Sequence, residues 1–277
     1  MERLWFITNP GSGSATAAKC TALEAVFDER GLHLAGRTAF PEEPIPDGAT
    51  LAAEGVDTVV LFAGDGTINA ALCALADWDG AFLILPGGTM NLLAKALHDE
   101  ADPAAIVHAA HERARRVAMN FVEAGPHRAF VGLILGPAAQ WGRAREAARA
   151  GRLSRTWGAT RNAWRRSFGR GIGVRGVPGM DDRYQAVFVA PAAEGLQVDA
   201  IDARDWSTIA ELGWNWLTGD WIAARAVTHR RAARLEPVSG RPVLALFDGE
   251  PVTLDPGVAV TGGTTAPMFL STRSDAR

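Results

Sequence analysis

Three short apolar runs in the first third of the chain each end in a glycine-bearing turn, and no other feature limits the possible fold as strongly. Leu4–Thr8 runs into Asn9-Pro10-Gly11-Ser12-Gly13, Thr58–Ala63 into Gly64-Asp65-Gly66-Thr67, and Ala81–Leu85 into Pro86-Gly87-Gly88-Thr89. Helical periodicity separates them: Ala15–Arg30, closed by Gly31, then Thr50–Gly55, Ile68–Ala76, a helix from Asn91 and one over Pro103–Arg116, with one further strand at His33–Phe40. Strands of this length, apolar throughout and alternating with helices, predict a mainly parallel sheet covered on both faces. In such a sheet ligands bind beyond the carboxyl ends of the strands, where all three glycine turns lie. Glycines let backbone N–H groups approach a phosphate, and the helix that follows adds partial positive charge. Thr67 and Thr89 stand where a hydroxyl caps a helix or donates to a phosphate. Asp65 fits beside phosphates if magnesium lies between them, or if it accepts hydrogen bonds from the loop itself.

After about Val117 the pattern changes to short strands: Ala129–Leu135, Tyr184–Ala190, Gln197–Ile201, Arg234–Pro237, Pro242–Phe247 and Val258–Thr261. An arginine-rich stretch and a Trp-bearing helical stretch, Thr208–Trp221, interrupt them. The expectation is an α/β nucleotide domain over residues 1–118 and an antiparallel β domain over 119–277, with the last strand, within 266–273, packing on either. No internal repeat or low-complexity segment occurs.

Charge divides the chain in the same place. Residues 1–112 carry five basic and sixteen acidic side chains, a balance of −11, whereas the whole chain stands at −3. Residues 143–175 hold ten arginines and one acid, Glu146. Such a strip attracts phosphates or anionic lipid, and the interleaved Trp141, Trp157, Trp164 and Phe168 suit a bilayer interface; a solvated helical face or core anchors would give the same pattern. Nucleic acid is not expected as a partner, because no reading motif surrounds the strip and the acidic part repels a polyanion. No apolar run reaches the ~18–20 residues of a membrane helix, and the first residues lack a secretion signal. Two cysteines, Cys20 and Cys73, cannot staple a chain of this size, which points to a reducing, cytoplasmic setting. Residues 13–19 lack the second glycine and terminal Ser/Thr of a P-loop, and residues 11–16 lack the third glycine of a dinucleotide fingerprint.

At the glycine turns the sequence resembles the diacylglycerol kinase catalytic-domain family, which also contains sphingosine and ceramide kinases and bacterial lipid kinases. Asn9-Pro10-Gly11-Ser12-Gly13 is similar to its NPxSG motif, Phe62–Leu72 (FAGDGTINAAL) to GGDGTxNE, and the stretch from Leu85 to Leu97 to PxGTxNxxA. Ala190–Ala200 is similar to an acidic-Gly-x-Leu-Asp segment, and Ala245–Val252 (ALFDGEPV) to a late DGE motif. The resemblance implies an α/β domain joined to a β-sandwich domain, with ATP in the cleft between them and its γ-phosphoryl group passed to a lipid hydroxyl, diacylglycerol by default. It implies that Asn9, Pro10, Gly11, Ser12, Gly13, Gly64, Asp65, Gly66, Thr67, Asn69, Gly88, Thr89 and Asn91 hold ATP, with Thr38 joining them, and that Asp65 also acts in catalysis. Asp248 and Glu250 supply a general base and a contact to Mg²⁺, the division between them left open, and Glu194 stands where an aspartate helps hold a structural magnesium. The chain departs from the pattern at Ala63, Ala70, Leu92 and Lys95, where glycine, glutamate, aspartate and arginine are usual. NAD kinases share a GDGT loop, but they lack the NPxSG start and carry an Asn-Glu pair that is missing here. The same motifs are compatible with a different lipid alcohol as acceptor, and with a catalytically silent homologue that binds nucleotide or lipid without turnover. The expected setting is the cytoplasm, with peripheral association at the inner face of the membrane and a homodimer as a further possibility.

Overall fold

The computed structural model describes residues 1–136, 171–201 and 227–274. These divide into two compact units, Met1–Met119 with the residues from Thr264 on, and Asn120–Gly263. The first unit opens with β1 (Arg3–Thr8), α1 (Ala17–Glu29), β2 (His33–Ala39), α2 (Gly48–Ala53), β3 (Thr58–Ala63), α3 (Asp65–Ala74), β4 (Ala81–Pro86), α4 (Leu92–Leu97), α5 (Pro103–Arg113) and β5 (Arg115–Val117). Side-chain caps start several of the helices. Thr16 accepts from the Lys19 amide at α1, Asp47 from the Thr50 amide at α2, and Asp102 from the Ala105 amide at α5, which also has proline in its first turn.

The second unit contains β6 (Asn120–Ala124), β7 (His127–Ala129), β8 (Leu133–Leu135), β9 (Gly173–Arg175), β10 (Ala186–Ala192), β11 (Gly195–Ile201), β12 (Val227–Ala232), β13 (Arg234–Val238), β14 (Val243–Phe247), β15 (Glu250–Leu254) and β16 (Val260–Thr264). One sheet runs β12-β11-β10-β8-β14-β15 and the other β7-β6-β16-β13-β9. Val122, Ala129, Val174, Leu235 and Val260 from the second sheet share one buried cluster with Leu133, Val187, Val198 and Ala245 from the first, so the two form an antiparallel sandwich.

The chain then returns to the first unit as β17 (Met268–Ser271), whose sheet reads β2-β1-β3-β4-β17-β5. All neighbours in it are parallel except β5, which runs antiparallel to β17. Leu4, Phe6, Val60, Phe62 and Leu83 point to the face packed by Leu23 and Phe27 of α1 and Ile106 and Val107 of α5. Alternate residues Val59, Leu61 and Ile84 are equally buried on the opposite face. Burial on both sides is why these strands are apolar throughout.

Three expectations change. The α5 helix stops at Arg113, and Arg115–Val117 form a strand against β17. The helix expected at Ile68 begins at Asp65, so Asp65-Gly66-Thr67 is its first turn and only Gly64 stands before it as the cap residue. Ala129–Leu135 is not one strand: Phe130-Val131-Gly132 break it, because their amides turn toward the Asp248 carboxylate. The Trp-bearing stretch, Trp141, Trp157, Trp164, Phe168 and the arginine strip other than Arg175 lie outside the described residues.

His98 locks the return of the chain. It is 3% exposed at the end of α4, with Nε2 3.1 Å from the Ile84 carbonyl and Nδ1 2.9 Å from the Thr272 hydroxyl. A carbonyl only accepts, so Nε2 carries the proton and Thr272 donates to Nδ1. Burial pushes this imidazole down to about 4, against 6.5 for a free side chain. The neutral form is therefore stabilised by folding. That stability is complete above pH ~6.5 and is lost as pH falls toward 4, up to about 3 kcal/mol from this residue. Urea unfolding at pH 7 and pH 4.5 should show His98→Gln less stable than the parent at the higher pH, with the gap narrowing at the lower.

Candidate functional site

In the first unit the three glycine turns are bonded to one another. Asn9 at the end of β1 donates from Nδ2 to the Thr67 hydroxyl (2.8 Å), which ties the first turn to the start of α3. Its Oδ1 accepts the Gly11 amide (2.8 Å), and its carbonyl accepts the Ser12 amide (3.0 Å) and hydroxyl (2.7 Å), closing Asn9–Ser12 into a tight bend. Ser14 donates from its amide to the Gly87 carbonyl (3.2 Å) and from its hydroxyl to the Gly88 carbonyl (3.1 Å), joining the first turn to the third. No motif marked Ser14, and no signal in the sequence distinguishes it from any other loop serine.

Asp65 joins the second turn to the third. Its carboxylate accepts the amides of Asn91 (3.0 Å) and Leu92 (2.8 Å), the first free N–H groups of α4. Asn91 takes a left-handed backbone, φ 51°, a conformation asparagine tolerates better than most residues. Its side chain bonds both the amide and the carbonyl of Gly88 (2.7 and 3.1 Å). Burial raises the Asp65 carboxyl above its usual range, while the two amides and, more weakly, the Lys95 charge pull it back. Of the two roles open to Asp65, the structure displays the second, acceptor for the loop.

The glycines of the third turn serve packing. A Cβ on Gly87 would lie 2.5 Å from the Ala63 nitrogen, and one on Gly88 2.7 Å from the Gly64 Cα. Gly13 differs, with no atom within 4 Å of a Cβ position, so the first turn is open there. Pro10 and Thr89 are exposed, and Asn69 lies on α3, its Oδ1 3.5 Å from Cys73 Sγ. Thr38 is not at this cradle's surface. It is 3% exposed, with its hydroxyl accepting from the Trp5 indole (3.0 Å).

In the second unit Asp248 and Gly249 form the two-residue link of the β14–β15 hairpin, where Phe247 pairs with Glu250. Both have positive φ, 47° and 91°, the conformation that Asp-Gly favours in tight hairpins. The Asp248 carboxylate, 7% exposed, accepts three consecutive amides, Phe130 (2.7 Å), Val131 (2.9 Å) and Gly132 (2.9 Å), and its own amide donates to the Gly132 carbonyl (3.0 Å). Gly132 is the one sequence sign of this seat, since a Cβ there would lie 2.5 Å from the Phe188 ring. Glu250, the first residue of β15, is exposed.

For a phosphate chain the first unit fits, through the open side of Gly13 and the first-turn amides of α3. Among the described residues no group of three or more ligating side chains gathers; the carboxylates of Asp65 and Asp248, one in each unit, accept two and three backbone amides. Glu194 is exposed in the two-residue link between β10 and β11, without such a group around it. The buried aspartate nearby, Asp199, is bonded to His229 (2.6 Å) and Gln197 (3.0 Å).

The chain thus pairs an α/β unit, whose interlocked turns follow strands of a mainly parallel sheet, with an antiparallel sandwich. Residues 3–122 match the family model of the diacylglycerol kinase catalytic domain. No curated protein is significantly similar in sequence. The fold is similar to the crystal structure of a diacylglycerol kinase from Bacillus anthracis strain Sterne, with a TM-score of 0.65, 14% identity, and 98% of this chain and 97% of that one covered. A second crystal structure from the same strain gives 0.65 and 16% over the same shares. Among the described residues no helix is long and apolar enough to cross a membrane.

The Asp65 seat is testable without any assay of activity. Asp65→Asn replaces one acceptor oxygen by an NH₂ group facing a backbone N–H, and should lower stability in urea unfolding by about 1–3 kcal/mol. An unchanged midpoint would show that the α4 amides do not need this carboxylate.

Proposed function

We propose that the protein is an ATP-dependent lipid kinase that passes the γ-phosphoryl group of ATP to the hydroxyl of a lipid alcohol, diacylglycerol first among them. One observation carries the reading: the three turns inside the matched kinase domain are cross-linked through Asn9–Thr67, Ser14–Gly88 and Asp65–Asn91/Leu92 into a single cradle. A polyphosphate on this cradle meets the amides of Gly66 and Thr67, which have no carbonyl partner inside α3, and the positive end of that helix. Gly13 gives it room.

A lipid alcohol is a weak nucleophile at neutral pH, and a carboxylate positioned to take its proton contributes ~10²–10⁴-fold. We assign that role to Glu250. Asp248 is two residues away, but its oxygens are turned to three backbone amides, so moving a proton onto it would break the seat that shapes the hairpin. Asp248 is then a positioning residue that fixes the turn from which Glu250 leaves. Magnesium carried in with the nucleotide would supply neutralisation of phosphate charge; the cradle and the hairpin contribute by aligning the reactants. Because the acceptor lives in a bilayer, the reaction runs at a membrane surface, with the protein associated peripherally.

The decisive assay supplies labelled ATP and magnesium with diacylglycerol, ceramide, sphingosine or NAD as acceptor. Label should enter diacylglycerol, and Glu250→Gln should lower kcat by about 10²–10⁴-fold with the fold intact by circular dichroism. Label in NAD, or nucleotide binding with no transfer to any acceptor, would overturn the reading. Full activity in Glu250→Gln would move the base elsewhere.

A further inference from the structure

We infer that His127 is a specificity-determining residue on the acceptor side of the site, donating a hydrogen bond to an ester carbonyl that neighbours the reacting hydroxyl. The inference rests on the lipid-kinase reading and on Glu250 as its base. The chain has six histidines. His98 is bonded through its ring nitrogens to Ile84 and Thr272, His108 to Arg30 and His229 to Asp199, while His33 and His111 are exposed. His127 differs from all five: it is half-buried, and none of the described residues hydrogen-bonds either of its ring nitrogens.

Strand alternation brings this imidazole to the proposed base. Ala129, two residues on in β7, and Ala124, the partner of His127 across the β6–β7 hairpin, belong to the buried cluster between the two sheets, so His127 is on the inner face of its sheet. In β15 Val252 and Leu254 pack on the same cluster, which puts Glu250 on the inner face of the other sheet. Phe247 links the two. It pairs with Glu250 across the β14–β15 hairpin, and its ring centroid lies 5.6 Å from that of His127, the planes inclined at 50°. Directly paired residues share a face, their Cβ atoms ~4.5–5.5 Å apart. One end of the sandwich therefore carries a carboxylate and an unpartnered imidazole, both beside the same phenyl ring. A neutral imidazole has one N–H to donate. Diacylglycerol bears an ester on the carbon next to the one that carries its hydroxyl, so an acceptor whose hydroxyl meets Glu250 offers a carbonyl oxygen to a donor beside Phe247. The ring itself suits the glycerol carbons. A lipid alcohol with ethers in place of the esters has no such oxygen to offer.

The test compares a diacylglycerol with the dialkylglycerol of the same chain length, presented to the full chain in detergent micelles with ATP and magnesium. His127→Phe keeps a ring against Phe247 and removes the donor. It should raise KM for the ester lipid several-fold, the worth of one hydrogen bond, and leave KM for ATP and for the ether lipid at the parent's values. An equal rise for both lipids, or none for the ester, overturns the proposal. A second readout uses the parent chain without nucleotide, labelled with ¹⁵N-histidine, the His127 ring signals being those lost in His127→Phe. Water-soluble dihexanoylglycerol should move these signals to saturation, and its dihexyl ether analogue at the same concentration should not; no movement, or equal movement with both, overturns the proposal. The two readings fail separately. Saturable, ester-dependent movement with transfer to no acceptor would keep His127 as an ester-binding residue and sink the kinase, whereas transfer to diacylglycerol with no ester dependence in either readout would keep the kinase and sink His127.

Discussion

Amide groups at the start of a helix have no carbonyl to bond, and in the first unit those of α4 are served from outside by Asp65. That pair of hydrogen bonds sets the distance between the turns after β3 and β4. Once it is set, Gly88 comes so near Gly64 that a side chain at residue 88 would collide with backbone. Asn91 must then turn left-handed to begin the helix, and its side chain gathers in Gly88. Asn9 and Ser14 bring the first turn onto the same frame. The cradle is thus a consequence of satisfying a helix terminus, with Asn9, Ser14 and Asp65 each bonding one turn to another.

The second unit repeats the device with different elements. Asp248 stands in a two-residue turn and draws three successive amides from a broken strand, so the ends of β7, β8 and β14 are fixed together. In both units an aspartate that has the composition of a catalytic group acts on backbone.

Much of the architecture was legible because strands buried on both faces must be apolar along their whole length; Thr58–Ala63 and Ala81–Leu85 could hardly be anything else. The turns were legible as a group, since three glycine-bearing bends at equivalent strand ends mark one surface. What stayed hidden were effects of distant partners. Phe130 and Val131 read as strand because nothing local reveals an acceptor 118 and 117 residues away. Arg115 and Arg116 continued the helical pattern of α5, yet they pair with β17 as part of a strand. The Thr38 hydroxyl accepts from the Trp5 indole, a contact between neighbouring strands that residue type alone does not announce.

The place of β17 has a bearing on biosynthesis. It is inserted between β4 and β5, and Phe269 within it is fully buried against Phe82. Until the ribosome has delivered that strand, β4 presents an open edge, and at ordinary elongation rates the gap after β5 lasts roughly 10–30 seconds. The nascent α/β sheet therefore waits, unfinished and able to pair with other chains, while the whole sandwich is made. Removal of β17 (Met268–Ser271) alone would open the sheet built by the beginning of the molecule and take no strand from the second unit.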